Sequence, residues 1–150
     1  MLLGEKIVRT YGVSLGFDPQ GDKTRQGDGK TPEGTFYVAY GAPPRGTRYH
    51  RSLLVSYPSV ERAKEGLDSG AISKAQYARI AYAQKRCRIP LQNTKLGGYI
   101  LIHGGGGGAG YGDWTLGCVA LTNDEVEEIH SISPAGCNDG VPRTKLVIAP

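Results

Sequence analysis

The sequence predicts a mainly β domain with one helical insertion and one late helix. Glycine at 23 and proline at 9 of 150 residues favour many turns and short strands over a helix bundle. Short runs rich in β-branched and aromatic residues recur along the chain. Helical composition is confined to about residues 59–86 and a stretch after Cys118, so strands and helices do not alternate and a doubly wound sheet is not expected.

Taken in order, Lys6 to Leu15 (KIVRTYGVSL) reads as the first strand, rich in β-branched residues. From Phe17 to Glu33 the chain is turn chemistry: Asp18-Pro19, Gly21-Asp22, Asp28-Gly29 and Thr31-Pro32. Gly34 to Tyr40 (GTFYVAY) and Ser52 to Tyr57 (SLLVSY) are strands, separated at Pro43-Pro44. In residues 59–86, Gly66 and Gly70 are expected to break the region into two short helices, the second opened by a capping box of Ser73 and Gln76. Tyr99 to His103 (YILIH) and Gly117 to Leu121 (GCVAL) are short strands. Thr122 with Glu125 forms a second capping box, opening a helix to about Ser131. Lys145 to Ala149 (KLVIA) closes the chain as a strand.

The length suits a single domain over residues 1–150 with its own core, and neither repeat nor linker interrupts it. Eighteen Lys and Arg against 14 Asp and Glu give a net charge of +4, a mildly basic surface suited to anionic partners. The basic residues are scattered, with no basic helix or RNA-binding aromatic motif, so nucleic acid is not an expected partner. No apolar run approaches the roughly 18 residues of a membrane span, and Gly4-Glu5-Lys6 follows Met1-Leu2-Leu3 too soon for a signal peptide. The three cysteines, Cys87, Cys118 and Cys137, form no CxxC, and the three histidines are not at zinc-ligand spacing, so neither a metal nor a cofactor is expected. The odd count leaves at least one thiol free. In an oxidising compartment Cys87 and Cys137 could pair and leave Cys118 reduced; two unrelated buried thiols are the default expectation.

Two motifs mislead. GDGKT, Gly27 to Thr31, resembles the end of a phosphate-binding loop, but position 24 is Thr where that loop needs Gly, and Pro32 denies it the following helix. Gly12-Val13-Ser14-Leu15-Gly16 matches a nucleophile elbow and His103 to Gly106 an esterase oxyanion motif. They stand in the wrong order, and Gly16 runs into a loop rather than a helix.

The stretch HGGGGGAGYGDWTLGC, His103 to Cys118, is different. Seven of the nine residues 104–112 are glycine, the residue that costs most to order. A thiol is mostly protonated at pH 7, and a neighbouring imidazole can take its proton and later return it to a leaving amine. The N–H groups of Gly117 and Cys118 are candidates for an oxyanion hole, and Thr115 for setting the turn beside Cys118. Asp113 and Trp114 are expected to pack under the glycine loop and fix it. His50, Tyr57 and Lys30 are candidates for lining a substrate cleft, with Lys23 and Arg25 also in the charged loop; His130 reads as a helix-face residue. From spacing alone, a buried strand thiol and a satisfied strand-end histidine are the favoured reading, since a Cys and a His fifteen residues apart are common.

Ile102-His103-Gly104, a variable loop, and then Thr115-Leu116-Gly117-Cys118-Val119-Ala120-Leu121 resemble the catalytic signature of the L,D-transpeptidases, the YkuD domain. Tyr11 to Val38 (YGVSLGFDPQGDKTRQGDGKTPEGTFYV), His50 to Pro58 (HRSLLVSYP) and the DWTxGC form at Asp113 to Cys118 are similar to the family's ErfK/YafK-type branch, so the resemblance spans about Tyr11 to Pro150. It implies a β-barrel or sandwich with the helical insertion at about 59–86 and one helix after the catalytic Cys. It also implies an abbreviated or absent first strand before Leu2, and a periplasmic or cell-envelope location with the signal peptide outside this chain. Cys118 would attack the carbonyl at the L-centre of the third residue of a peptidoglycan stem peptide, and His103 would relay the proton to a leaving D-Ala amine, its ring oriented by the Gly104 carbonyl. An amine would then resolve the thioester, giving a 3→3 cross-link or an attached cell-wall protein. The alternatives are hydrolysis of a stem-peptide or protein–peptidoglycan amide on the same scaffold, and an inactive peptidoglycan-binding module. Two positions depart from many members: Leu116 stands where a second His is common, and Ala120 where an Arg is.

Overall fold

The computed structural model describes residues 1–3, 6–42, 49–107, 110–135 and 144–150. Pro43-Pro44, Gly108 and Cys137 lie outside the described residues. A five-stranded sheet of order β6-β5-β4-β3-β7 carries the fold. Its strands are β3 (Gly34–Ala42), β4 (Ser52–Val55), β5 (Leu101–His103), β6 (Val119–Ala120) and β7 (Lys145–Ile148). The long strand β3 pairs antiparallel with β7 through Gly34 to Tyr37, then with β4 through Val38 to Ala42, with a register shift between Val38 and Tyr40. β4 and β5 are antiparallel, and β5 and β6 run parallel. A separate antiparallel hairpin, β1 (Leu2–Leu3) with β2 (Lys6–Ile7), stands at the N-terminus.

The sheet buries Phe36, Val38, Leu53, Val55, Tyr57, Ile100, Ile102 and Leu121 as one core. Helix α1 (Val60–Asp68) and helix α2 (Lys74–Lys85) enclose a second, smaller one of Ala63, Ile72, Ile80 and Leu96. Both expected capping boxes form, Ser73 with Gln76 at the start of α2, and Thr122 with Glu125 at the start of α3 (Asn123–Ile132). The expected sheet-built domain with a helical pair and one late helix is therefore the architecture observed.

Two local expectations are corrected. The strand expected over 6–15 is ordered as β only at Lys6–Ile7, because the chain then leaves its hairpin partner; Ser14 and Gly16 instead make isolated bridges to Ala120 and Thr115. Gly66 does not break α1. It is buried within the helix, where an added Cβ would come to 2.8 Å from Leu96, so the missing side chain is the packing surface. The break falls at Gly70, in a left-handed conformation (φ +74°) just past the helix.

Candidate active site

Cys118 and His103 are brought together by the β5–β6 pairing. Ile102 faces Val119 and His103 faces Ala120. Ile102 and Leu121 point into the core and Val119 packs against it, so alternation puts His103 and Ala120 on the opposite face. One step back in register, Cys118 lies beside Leu101, whose N–H donates to Cys118 Sγ at 3.4 Å. Cys118 and His103 thus lie on one face of adjacent parallel strands, two positions apart in register. The thiol is aimed at the Tyr99 carbonyl, 3.7 Å away.

The His103 ring is 2% exposed and held on three sides. Its Nδ1 lies 2.7 Å from the Gly104 carbonyl, which can only accept, so Nδ1 carries the proton and the lone pair is on Nε2. Tyr49 stacks on the imidazole at 4.1 Å between ring centroids, and Trp114 meets it edge-on at 6.3 Å. Trp114 is 45% exposed, and its Cζ2 lies 4.0 Å from where a Cβ on Gly106 would stand, so it forms a wall of the histidine's pocket against the glycine loop.

Burial pushes the Cys118 thiol above the ordinary thiol value, while the Leu101 N–H and the charge of Lys23 pull it back. A thiol held neutral in this way needs a base to become nucleophilic. Lys23 is itself 2% exposed, pairs with Asp28 at 2.7 Å and donates to the Arg25 carbonyl. Burial alone would raise the Asp28 carboxyl, but the Lys23 ammonium and the N–H groups of Arg25, Thr24 and Lys30 hold it below the usual carboxylate value.

Thr115 sets the turn before Cys118. Its hydroxyl donates to the Cys118 carbonyl at 2.7 Å and accepts the Gly117 N–H at 3.1 Å. That bond commits the Gly117 N–H, correcting the expectation that it would help bind an oxyanion. The Cys118 N–H makes no hydrogen bond among the described residues and remains for that role. Gly117 is required for another reason: φ is +122°, and an added Cβ would fall 2.6 Å from the Lys30 carbonyl. Asp113 accepts the Leu15 N–H at 2.6 Å, and the N–H groups of Trp114 and Thr115 both donate to the Leu15 carbonyl. The stretch after Asp113 is thereby stitched to residues 14–17.

The glycine loop lies directly on β6. A Cβ on Gly107 would come to 2.3 Å from the Ala120 carbonyl, and Ala120 is fully buried, so no longer side chain fits there. Asn123, opening α3, accepts the Gly105 N–H at 2.8 Å and anchors the loop from outside.

Other expected residues fall elsewhere. Tyr57 is 1% exposed in the main core and gives its hydroxyl to the Leu96 carbonyl, so its ring has no surface to offer a substrate at Cys118. His50, in a left-handed conformation (φ +67°), places Nε2 2.9 Å from Glu127 of α3, which Arg51 also grips. Lys30 bonds the Gln20 carbonyl and pairs with Asp18, closing its own loop as a plain turn. Ser14, the elbow serine of the misleading motif, is fully buried in an extended bridge to Ala120. His130 packs over Gly41 in the last turn of α3. Cys87 is disulfide-bonded, which overturns the default of unrelated thiols, and Cys118 is free. Sequence reasoning missed Tyr49, next to the His50-Arg51-Ser52 motif, and the burial of Lys23; an aromatic beside a motif and one charge in a turn-rich loop gave no signal of either.

Residues 1–148 match the L,D-transpeptidase catalytic domain family, YkuD. The chain belongs to this family. It is also 24% identical over 150 residues to Escherichia coli K12 "Putative L,D-transpeptidase YafK", and equally so to the protein of that name from Escherichia coli O157:H7. In each case 99% of this chain is covered and 47% of the relative, so the chain spans about half the length of the curated relatives it matches. Among the described residues no helix is long and apolar enough to cross a membrane.

Proposed function

We propose that this domain is a thiol-dependent L,D-transpeptidase acting on peptidoglycan stem peptides in the cell envelope. The observation that carries the reading is the free thiol of Cys118 on the same face of paired strands as His103, whose Nδ1 is tied to Gly104, so that Nε2 serves as the base. Cys118 Sγ attacks the carbonyl at the L-centre of the third stem residue. Its proton passes to His103 Nε2, and the oxygen that gains charge is met by the Cys118 N–H. As the tetrahedral species collapses, the C–N bond to the terminal D-Ala breaks and His103 gives the proton to the departing amine, leaving a thioester. An acceptor amine then attacks the thioester, His103 takes the amine's proton, and the thiolate leaves and is reprotonated. Tyr49, by stacking its face on the ring, favours the imidazolium that forms in each half-reaction.

The test is product analysis with a disaccharide-tetrapeptide, with and without a diaminopimelate-bearing amine acceptor. A cross-linked product that requires Cys118 and the acceptor supports transpeptidation. A shortened stem without cross-link, equally dependent on Cys118, would make the domain a hydrolase. No product that depends on Cys118 would refute the reading.

A further inference from the structure

A cavity of about 330 Å³ lies between α2 and the loop 89–93, lined by Arg79, Ala83, Ile89, Pro90, Leu91, Gln92, Asn93 and Tyr99. It is separate from the Cys118–His103 face yet one residue removed from it. Tyr99 is the link: its carbonyl faces the Cys118 thiol at 3.7 Å, while its side chain, 66% exposed, turns outward to the cavity. The turn is made at φ +54°, a strained conformation for an aromatic residue.

Gln92 holds that strain. Its Oε1 accepts the Tyr99 N–H at 2.7 Å, and its Nε2 donates to the carbonyls of Tyr57 and Pro90, both at 2.8 Å. An added Cβ on Gly98 would fall 2.1 Å from the Gln92 carbonyl, so the cavity's loop lies directly against the segment leading to the thiol. Cys87, two residues beyond the end of α2, is disulfide-bonded. The cavity's loop and the segment that faces the thiol are thus joined through Gln92.

Its chemistry is divided. Ala83, Pro90 and Leu91 are apolar and at least partly buried. Arg79 and Asn93 are exposed, and neither side chain makes an ion pair or hydrogen bond among the described residues. An apolar lining with a guanidinium and an amide at hand suits a carboxylate carried on an aliphatic arm, which Arg can hold with two parallel hydrogen bonds.

We propose that this cavity is a subsite for the free side-chain carboxylate of the stem peptide's third residue, bound by Arg79 and Asn93. The proposal rests on the stem-peptide reading above and specifies which part of that substrate lies on the helical insertion. The amino acid whose carbonyl reaches Cys118 then sends its own side chain past Tyr99 into the cavity.

The experiment uses a stem tetrapeptide ending in diaminopimelyl-D-alanine and the same peptide with the diaminopimelate side-chain carboxylate converted to its amide. Arg79→Gln is expected to raise KM for the carboxylate peptide about tenfold, with the loss in KM rather than kcat. The amide should abolish the difference between the two proteins, and Arg79→Lys should recover part of it. Equal KM values for wild type and Arg79→Gln, or the same loss on the amidated peptide, would overturn the subsite. Binding of both peptides to Cys118→Ala, by calorimetry, separates this outcome from failure of the functional reading. Carboxylate-dependent binding that needs Arg79, without turnover by the wild type, would keep the subsite and remove the transpeptidase. Turnover indifferent to Arg79 would do the reverse. Binding of neither peptide would overturn the subsite.

Discussion

Lys23→Met perturbs the ion pair that lies under the site. Lys23 Nζ and Asp28 Oδ1 are 2.7 Å apart, with side chains 3% and 6% exposed. Removing one partner of a buried pair costs roughly 3–5 kcal/mol, because the other charge is left in a poor solvent. Asp28 keeps the N–H groups of Thr24, Arg25 and Lys30, which places the expected loss at the lower end, about 3 kcal/mol. For a domain of this size that corresponds to a fall in Tm of about 6–12 °C. Adding Asp28→Asn should recover part of the loss, since the stranded charge is then gone. The same substitution removes the cation that opposes the burial penalty on Cys118, so the thiol should titrate higher still. Denaturant unfolding and the pH dependence of iodoacetamide alkylation read the two effects on one set of proteins. A loss below about 1 kcal/mol, or an alkylation profile unmoved by Lys23→Met, would refute the reasoning.

Three further outcomes follow from the geometry. Thr115→Val leaves the buried Gly117 N–H and the Cys118 carbonyl without their partner and should cost about 2–4 kcal/mol in denaturant unfolding, whereas Thr115→Ser should stay near wild type. Gly107→Ala drives a methyl into the Ala120 carbonyl and should destabilise by about 1–3 kcal/mol, measured the same way, while lowering acylation of Cys118 through displacement of the loop. The depressed Asp28 carboxyl contributes stability that is full above the ordinary Asp value of about 3.9 and is lost as pH falls through its lower folded value; Asp28→Asn should flatten that acid limb in stability measured against pH.

Much of this was legible before the fold was known, and for identifiable reasons. Capping boxes are local chemistry, so Ser73 with Gln76 and Thr122 with Glu125 announced their helices. β3, β4 and β5 were legible because β-branched and aromatic runs suit a pleated, buried surface. Gly66 misled because its role is tertiary: the helix tolerates it in return for contact with Leu96. Tyr57, expected at a cleft, lies in the core, since an aromatic's burial depends on which face of which segment meets the core and Tyr57 lies in no long periodic run. The glycine loop was legible as a feature but not as a mechanism. Close approach to Ala120 is a contact between residues 13 apart in sequence, which no local pattern encodes. Tyr49 stacked on His103 is the same case at longer range.

The most direct test of the central claim is the intact mass of the protein after brief incubation with a stem tetrapeptide ending in diaminopimelyl-D-alanine, quenched in acid, for wild type, Cys118→Ala and His103→Ala. A wild-type mass increase equal to the tetrapeptide minus free D-Ala, localised to Cys118, absent in Cys118→Ala and strongly reduced in His103→Ala, is the predicted result. An adduct on another residue, one that persists in Cys118→Ala, or turnover unaffected by that substitution would contradict it.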